Sequence, residues 1–402
     1  MSDRNVSLSD ATCEVTPGGS LREGVSERPL QVAGQHLIRV LHVGPGHGQR
    51  GGIASVLEEL ASFENLAREG GLSFSFFETH GFGSLRHALR FLLRDIPRFA
   101  LAAMRGIDIV HFHVSVRGSF YRKWLLFLIA RMNGKKTIFH LHAGNFRHFE
   151  GESMKVVRQA ISWFIRRADA TVAVSTAIAD ELRALGANPG TLHIVGNTAY
   201  PAESISNRTM ASDDCVVDPY IAFAGRLTKE KGLDDLLKAI AMLGAQGCFV
   251  RLRLAGSGDV AHWSQVVREL GIDDRVTFVG WLSGAEKLKF YRNAQVFCMP
   301  SHYESFGITT LEAMFSGVPV VGTRLGGFLD LVEEGVTGYL VEAHDCVALA
   351  TRIRSLIETP TLAASMGKAA LARASKNYSR NSIIALYIDC YRLLAGNRGC
   401  YE

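Results

Sequence analysis

PSHYESFGITTLEAMFSGVPVV, residues 300–321, is the stretch from which the architecture can be read. The apolar run AQVFCMPS (294–301) leads into it, a turn follows at Ser305 to Ile308, and a helical pattern begins at Thr309. VPVVGT (318–323) then starts a second apolar run. Two short, fully apolar strands joined by a helix have to lie parallel in one sheet. A helical crossover returns the chain to the same sheet edge, and such a sheet is covered on both faces.

Outward from that unit the same grammar repeats. Toward the C-terminus comes GYLVE (338–342), and upstream lie YIAFAGRL (220–227), CFVRLRLAGSG (248–258) and VTFVGWL (276–282), with a helix starting at Leu233. The first half carries an independent set: LIRVLHVG (37–44), LSFSFFETH (72–80), IDIVHFHV (107–114), KKTIFHLHA (135–143), ATVAVS (170–175) and LHIVGN (192–197). A helix is expected from about Ile53 to Glu69. Strands alternating with amphipathic helices specify two doubly wound α/β domains.

The expected boundaries are a disordered tail over 1–35, a first Rossmann-like domain over 36–200, and a polar linker over 201–218. A second such domain follows over 219–375, with a final helical stretch over 376–402. A chain of 402 residues suits two domains of ~100–200 residues each.

Composition narrows the function classes. With 47% apolar and 21% charged residues the chain is globular rather than disordered or fibrous. No apolar run reaches the ~18–20 residues that span a bilayer, and the first 35 residues lack the apolar core of a secretory signal. Seven scattered cysteines without a C-x-x-C pair argue against a zinc finger or disulfide framework and for a reducing cytoplasm.

Residues 36–200 carry 20 Lys+Arg against 12 Asp+Glu, whereas residues 201–402 carry 21 against 22. The basic half suits an anionic partner such as a phosphate-bearing substrate, nucleic acid or a membrane surface. Within it Arg86, Arg90, Arg94 and Arg98 recur every four residues among Leu85, Leu89, Leu92, Leu93 and Ile96, the pattern of an interfacial helix. Pro97 is expected to kink or end that helix. RGSFYRKWLLFLIARMNGKK (117–136) adds aromatics and more cations.

Three loops carry candidate chemistry. GPGHGQRGG (44–52) joins a strand to a helix, and Gly46, Gly48 and Gly51 satisfy G-x-G-x-x-G, with Glu78 as a possible ribose acid. Any glycine-rich strand–helix turn produces that match, so it leaves both a dinucleotide site and a plain phosphate-facing turn open. GRLTKEKG (225–232) sets Arg226 and Lys231 where a strand gives way to a helix, a place suited to neutralising a diphosphate. In ESFGITTLE, Glu304 and Glu312 flank a turn whose amides suit phosphate and whose carboxylates suit sugar hydroxyls.

His111, His113, His140 and His142 form two H-x-H pairs at neighbouring strand ends. Alternate residues share a sheet face, so four imidazoles can converge either on a metal or simply on one another.

The conjunction of ESFGITTLE, GRLTKEKG, RGG (50–52), LAGSG (254–258) and VTFVGWL resembles the retaining GT-B glycosyltransferases of family 4, over about residues 37–395. The resemblance implies two Rossmann-like domains facing across a cleft, acceptor mainly on the first and nucleotide-sugar donor mainly on the second. It implies that Arg226 and Lys231 bind the donor diphosphate, Glu304 holds donor sugar hydroxyls, and Glu312 contacts the ribose. Amides of Phe306, Gly307 and Ile308 would support phosphate or sugar, and Gly51 and Gly52 would approach the donor or acceptor. Gly280 and Trp281 would face the base, His142 the donor sugar and His113 the acceptor.

The family usually works without metal, so no metal and no cofactor is expected. The last helix is expected to cross back to the first domain. GGFLD (326–330) has Asp330 where the family has Glu, and no catalytic role is assigned to it. The implied partners are a UDP- or GDP-sugar and a glycan or polyprenyl-linked acceptor, with an anionic membrane surface and without nucleic acid. The implied setting is the cytoplasm or the inner face of its membrane, in exopolysaccharide or cell-surface glycan synthesis. An NAD-dependent oxidoreductase leaves GRLTKEKG and ESFGITTLE unexplained; a sugar phosphorylase would share the architecture.

Overall fold

The computed structural model describes residues 37–46, 49, 51–80, 85–199 and 219–396. The expected tail over 1–35 and linker over 201–218 lie outside the described residues.

Six strands form the first sheet: β1 Ile38–Pro45, β2 Leu72–Thr79, β3 Ile109–Val114, β4 Lys136–Leu141, β5 Ala170–Ala173 and β6 Leu192–Ile194. Six more form the second: β7 Tyr220–Ala224, β8 Arg251–Ala255, β9 Val276–Gly280, β10 Ala294–Met299, β11 Val320–Thr323 and β12 Gly338–Val341. Every apolar run read from the sequence is a strand, and every pairing between them is parallel. Central strands β3, β5, β7 and β11 are buried along their whole length, as a sheet covered on both faces requires, whereas edge strand β9 is not.

The order is β2-β1-β3-β4-β5-β6 in the first sheet and β12-β11-β10-β7-β8-β9 in the second. Counted within its own domain, the second sheet runs 3-2-1-4-5-6, the order of dinucleotide-binding Rossmann sheets. Strand order reverses at β1/β3 in one domain and at β7/β10 in the other. Right-handed crossovers send the helices on either side of such a point to opposite faces, which opens a crevice beyond the strand ends. The three loops singled out in the sequence follow β1, β7 and β10, so all three lie at these crevices.

Helix Arg380–Ala395 packs on the first sheet, not the second. Its Ile383, Ile384, Tyr387, Cys390 and Tyr391 share a buried cluster with Val40, Ile109, Ile138 and Val172. Arg380 pairs with Glu59 at 2.7 Å, and Arg392 donates to the Gly70 carbonyl at 2.9 Å.

Two local expectations need correction. The helix expected over 53–69 is two helices, Gly52–Ala61 and Glu64–Glu69, because Phe63 turns inward to full burial between them. Pro97 does not end its helix. The chain runs Leu85–Arg90, Phe91–Asp95 and Ile96–Met104, and the middle segment is a π-helical turn. Proline removes one amide donor and its ring crowds the preceding turn; widening that turn relieves both. Arg86, Arg90, Arg94 and Arg98 are exposed as expected, and Leu89, Leu92 and Leu93 stand out with them at 48%, 52% and 76% exposure. Among the described residues no helix is long and apolar enough to cross a membrane.

Candidate active site

Three helices begin at the facing crevices, each led by glycine and none capped by a side chain. They are Gly52–Ala61 behind Gly51, Leu233–Ala245 behind Gly232, and Ile308–Phe315 behind Gly307. Gly51 holds φ 153 with ψ 160, a region essentially closed to residues with a β-carbon. A β-carbon on Gly52 would stand 3.6 Å from Ile308 Cδ1, so two of these helix starts meet across the domain interface. The positive dipole ends of these two helices therefore lie close together, an arrangement that attracts anions.

The basic loop joins from the second domain. Gly232 packs so tightly that a β-carbon there would stand 1.8 Å from the Pro300 carbonyl oxygen, and only glycine lets the Lys231 turn meet the loop after β10. Lys231 Nζ consequently reaches Glu304 Oε2 at 2.6 Å, with both side chains largely buried. Arg226, in the same loop, is exposed. Glu312 is held from the preceding helix, Gly284–Arg292: the Tyr291 hydroxyl donates to one carboxylate oxygen at 2.7 Å and Lys287 pairs with the other.

Gly280 ends β9 beside this site, its carbonyl accepting from the Gly256 amide at 2.7 Å, and Trp281 beyond it is half exposed. Phe306 is buried against Tyr378, so it offers the site only its backbone.

The first domain presses its β4 loop onto the same turn. A β-carbon at Gly144 would stand 3.0 Å from the Ser305 nitrogen, which brings His142 to the Glu304 side of the cleft. Asp330 accepts from the Thr176 amide at 2.7 Å and from its hydroxyl at 2.6 Å, at the N-terminus of helix Thr176–Ala184. The residue given no catalytic role is thus a clasp between the domains, favoured by the helix dipole.

Five imidazoles converge, not four. His42 of β1 pairs in register with His111, and His113 with His140, so all share one face of the sheet. Two hydrogen-bonded rows result. His42 Nδ1 meets His113 Nε2 at 3.0 Å, and His113 Nδ1 meets His142 Nε2 at 2.9 Å. Tyr391 meets His111 at 2.7 Å, and His111 meets His140 at 3.0 Å.

Burial pushes every one of these imidazoles well down, with neighbouring rings adding to it for His111, His113 and His140 and Lys123 for His142; His42 and His142 fall to about 3. They are neutral at physiological pH, so what His142 can offer is a hydrogen bond and not an imidazolium proton. His113 was expected on the acceptor side. It is fully buried, with one ring nitrogen engaged by His42 and the other by His142.

Sequence reasoning missed His42, Lys287, Tyr291 and Lys123. Only their tertiary neighbours mark them. Lys123 lies fully buried on helix Gly118–Met132, donating to the Ser119 hydroxyl at 2.8 Å. Burial first, then Arg122, pulls its pKa down to about 7.

Comparison with known proteins agrees with this geometry. Residues 216–373 match the family model for glycosyl transferases group 1, and residues 51–200 match that for Glycosyltransferase Family 4. The chain is 36% identical over 188 residues to a D-inositol 3-phosphate glycosyltransferase of Pseudarthrobacter chlorophenolicus, covering 44% of this chain and 45% of that protein. It is 28% identical over 255 residues to a glycogen synthase of Mycobacterium tuberculosis, covering 62% and 59%. The matched region is thus only about half the length of these curated relatives.

The fold also matches HepE of Anabaena, solved with UDP and glucose. The TM-score is 0.69 at 22% identity, over 89% of this chain and all of that one. A sucrose-phosphate synthase from Thermosynechococcus elongatus gives 0.67 at 21%, over 89% and 99%. With both halves matched by the two family models and the two-domain GT-B fold in place, the chain belongs to the group 1, family 4 glycosyltransferases.

Proposed function

We propose that this protein transfers a hexose from a nucleotide-sugar donor to an acceptor hydroxyl with retention at the anomeric carbon. The observation that carries the reading is the meeting of helix starts at Gly52 and Ile308 beside the Lys231–Glu304 pair. A diphosphate seated there would draw Lys231 away from Glu304 and recruit Arg226. Glu304 would then be released to accept hydrogen bonds from donor sugar hydroxyls, and Glu312, held by Tyr291 and Lys287, would receive the ribose. HepE was solved with UDP and glucose, which makes a UDP-sugar the first donor to test and a GDP-sugar the second.

In the proposed step the acceptor oxygen bonds to the anomeric carbon from the face the nucleotide leaves. The bond from that carbon to the diphosphate oxygen breaks, and the acceptor proton passes to a donor phosphate oxygen. Cationic side chains and helix amides stabilise the leaving diphosphate, so the step needs no metal or cofactor. His142, neutral and fixed by His113, would hydrogen-bond the donor sugar.

The acceptor is proposed to be a glycan or a lipid-linked sugar of a cell-surface polysaccharide. The exposed leucine and arginine face over Arg86–Arg98 would suit an acceptor presented at an anionic membrane surface.

A thermal-shift panel of UDP-, GDP- and ADP-sugars tests the donor reading. Binding at one hundred times Kd adds about 2.7 kcal/mol to the folded state, which raises the melting temperature. No shift with any nucleotide sugar overturns it. A phosphorylase of the same architecture would instead release a sugar phosphate when given inorganic phosphate.

A further inference from the structure

Behind the loops that carry Lys231 and Glu304, four side chains from four separate places converge. Asp235 lies in the first turn of helix Leu233–Ala245, His302 in the loop after β10, His344 in the loop after β12, and Cys346 at the first position of helix Cys346–Glu358. Asp235 is buried. Its Oδ2 is 2.7 Å from His302 Nε2 and 3.5 Å from His344 Nδ1, and its Oδ1 is 3.6 Å from Cys346 Sγ. The two imidazole rings stand 4.0 Å apart, and single ligand atoms of Asp235, His302 and His344 all fall within 4.8 Å of one another.

The spacing fits one ion chemistry. Tetrahedral zinc, with bonds of roughly 2.0–2.3 Å, places its ligand atoms roughly 3.3–3.7 Å apart. The separations from Asp235 bracket that range for both imidazoles, whereas Cys346 Sγ stands outside the 4.8 Å group and would have to turn inward from its contact with Asp235 Oδ1 to complete the set. One thiolate, two imidazoles and one carboxylate form a borderline-soft set that favours zinc over magnesium or calcium. Two anionic ligands also cancel a dication's charge, which a partly buried ion requires.

His344 holds φ 67, a left-handed backbone that histidine adopts more readily than most residues with a side chain. The five-histidine cluster of the first domain differs. It offers no anionic ligand, and most of its ring nitrogens are spent on one another or on Tyr391, with His42 Nε2 and His140 Nε2 the buried exceptions.

We propose that Asp235, His302, His344 and Cys346 form a tetrahedral site for a divalent transition metal, zinc above all. The ion would be structural. His302 stands two residues before Glu304 and donates its amide to the Glu230 carbonyl at 2.8 Å, and Asp235 follows Lys231 by four residues. A bound ion would staple both donor loops to the start of helix Cys346–Glu358 without touching a reacting atom. The site goes beyond the transferase reading and stands or falls independently of it.

The test uses tag-free, chelator-stripped full-length protein titrated with Co2+. One equivalent should bind, with the intense visible bands of a tetrahedral site and a thiolate-to-cobalt charge-transfer band, and Zn2+ should bleach both and raise Tm. Cys346→Ser should remove the charge-transfer band, and His344→Ala, at a largely exposed position, should weaken binding at least roughly tenfold. Absence of a tetrahedral cobalt spectrum in the wild type overturns the proposal. So does a spectrum that both variants leave unchanged, since the ion would then sit elsewhere.

Discussion

Lys123 is an ammonium group buried in the first domain at 1% exposure, and it donates to a neutral hydroxyl, that of Ser119. Burial, reinforced by Arg122, lowers its pKa from 10.5 to about 7. Between those two values the unfolded chain holds the proton and the folded chain does not, so stability rises with pH across the window. The penalty is complete below about pH 7 and fades as pH climbs to 10.5. At 1.36 kcal/mol per unit, its full size is about 5 kcal/mol, falling to about 4 at pH 7 and about 2 at pH 9.

Lys123→Met fills nearly the same space without a charge and gives up one hydrogen bond worth about 1 kcal/mol. The variant should therefore be more stable than the wild type by about 3 kcal/mol at pH 7 and by only about 1 kcal/mol at pH 9. Urea unfolding of both proteins at both pH values measures this, and other titrating groups cancel in the difference. A gap that stays the same at pH 7 and pH 9 refutes the reasoning, as does a variant less stable than the wild type at pH 7.

Two further outcomes follow from the site and the surface. Lys231→Ala and Arg226→Ala should each lower sugar transfer by roughly 10²-fold or more, because each removes a cation from the departing diphosphate; near-normal turnover in both variants would refute their assignment. If the Arg86–Arg98 face docks on lipid, the protein should pellet with vesicles rich in anionic lipid and not with zwitterionic ones, and Leu92→Glu with Leu93→Glu should abolish it; equal pelleting with both vesicle types counts against docking.

Much of this protein was fixed by local sequence. All twelve strands were legible because each is a short apolar run ended by glycine, serine or a polar turn, and burial on both sheet faces demands that composition. The loops that carry Arg226, Lys231 and Glu304 were legible too, since each directly follows an apolar strand, the place where parallel sheets open their crevices. What the sequence left undecided depends on contacts between distant segments. Strand order is set by how the helices cover the sheets, and no local pattern encodes it.

The Lys231–Glu304 pair joins residues 73 positions apart, and the bond from Tyr291 to Glu312 joins residues 21 apart. His42 gave no signal in a strand read only as apolar, because its partners lie on β3. Lys123 read as one cation among several on a basic helix; only packing shows that its face points inward, where desolvation governs its charge. Asp235 and Cys346, 111 positions apart, become neighbours only when helix Cys346–Glu358 folds back along helix Leu233–Ala245. Local sequence determined which segments are strands and which loops carry charge. Tertiary structure alone decided which charges are paired, buried or brought together, because those properties depend on what packs against each side chain.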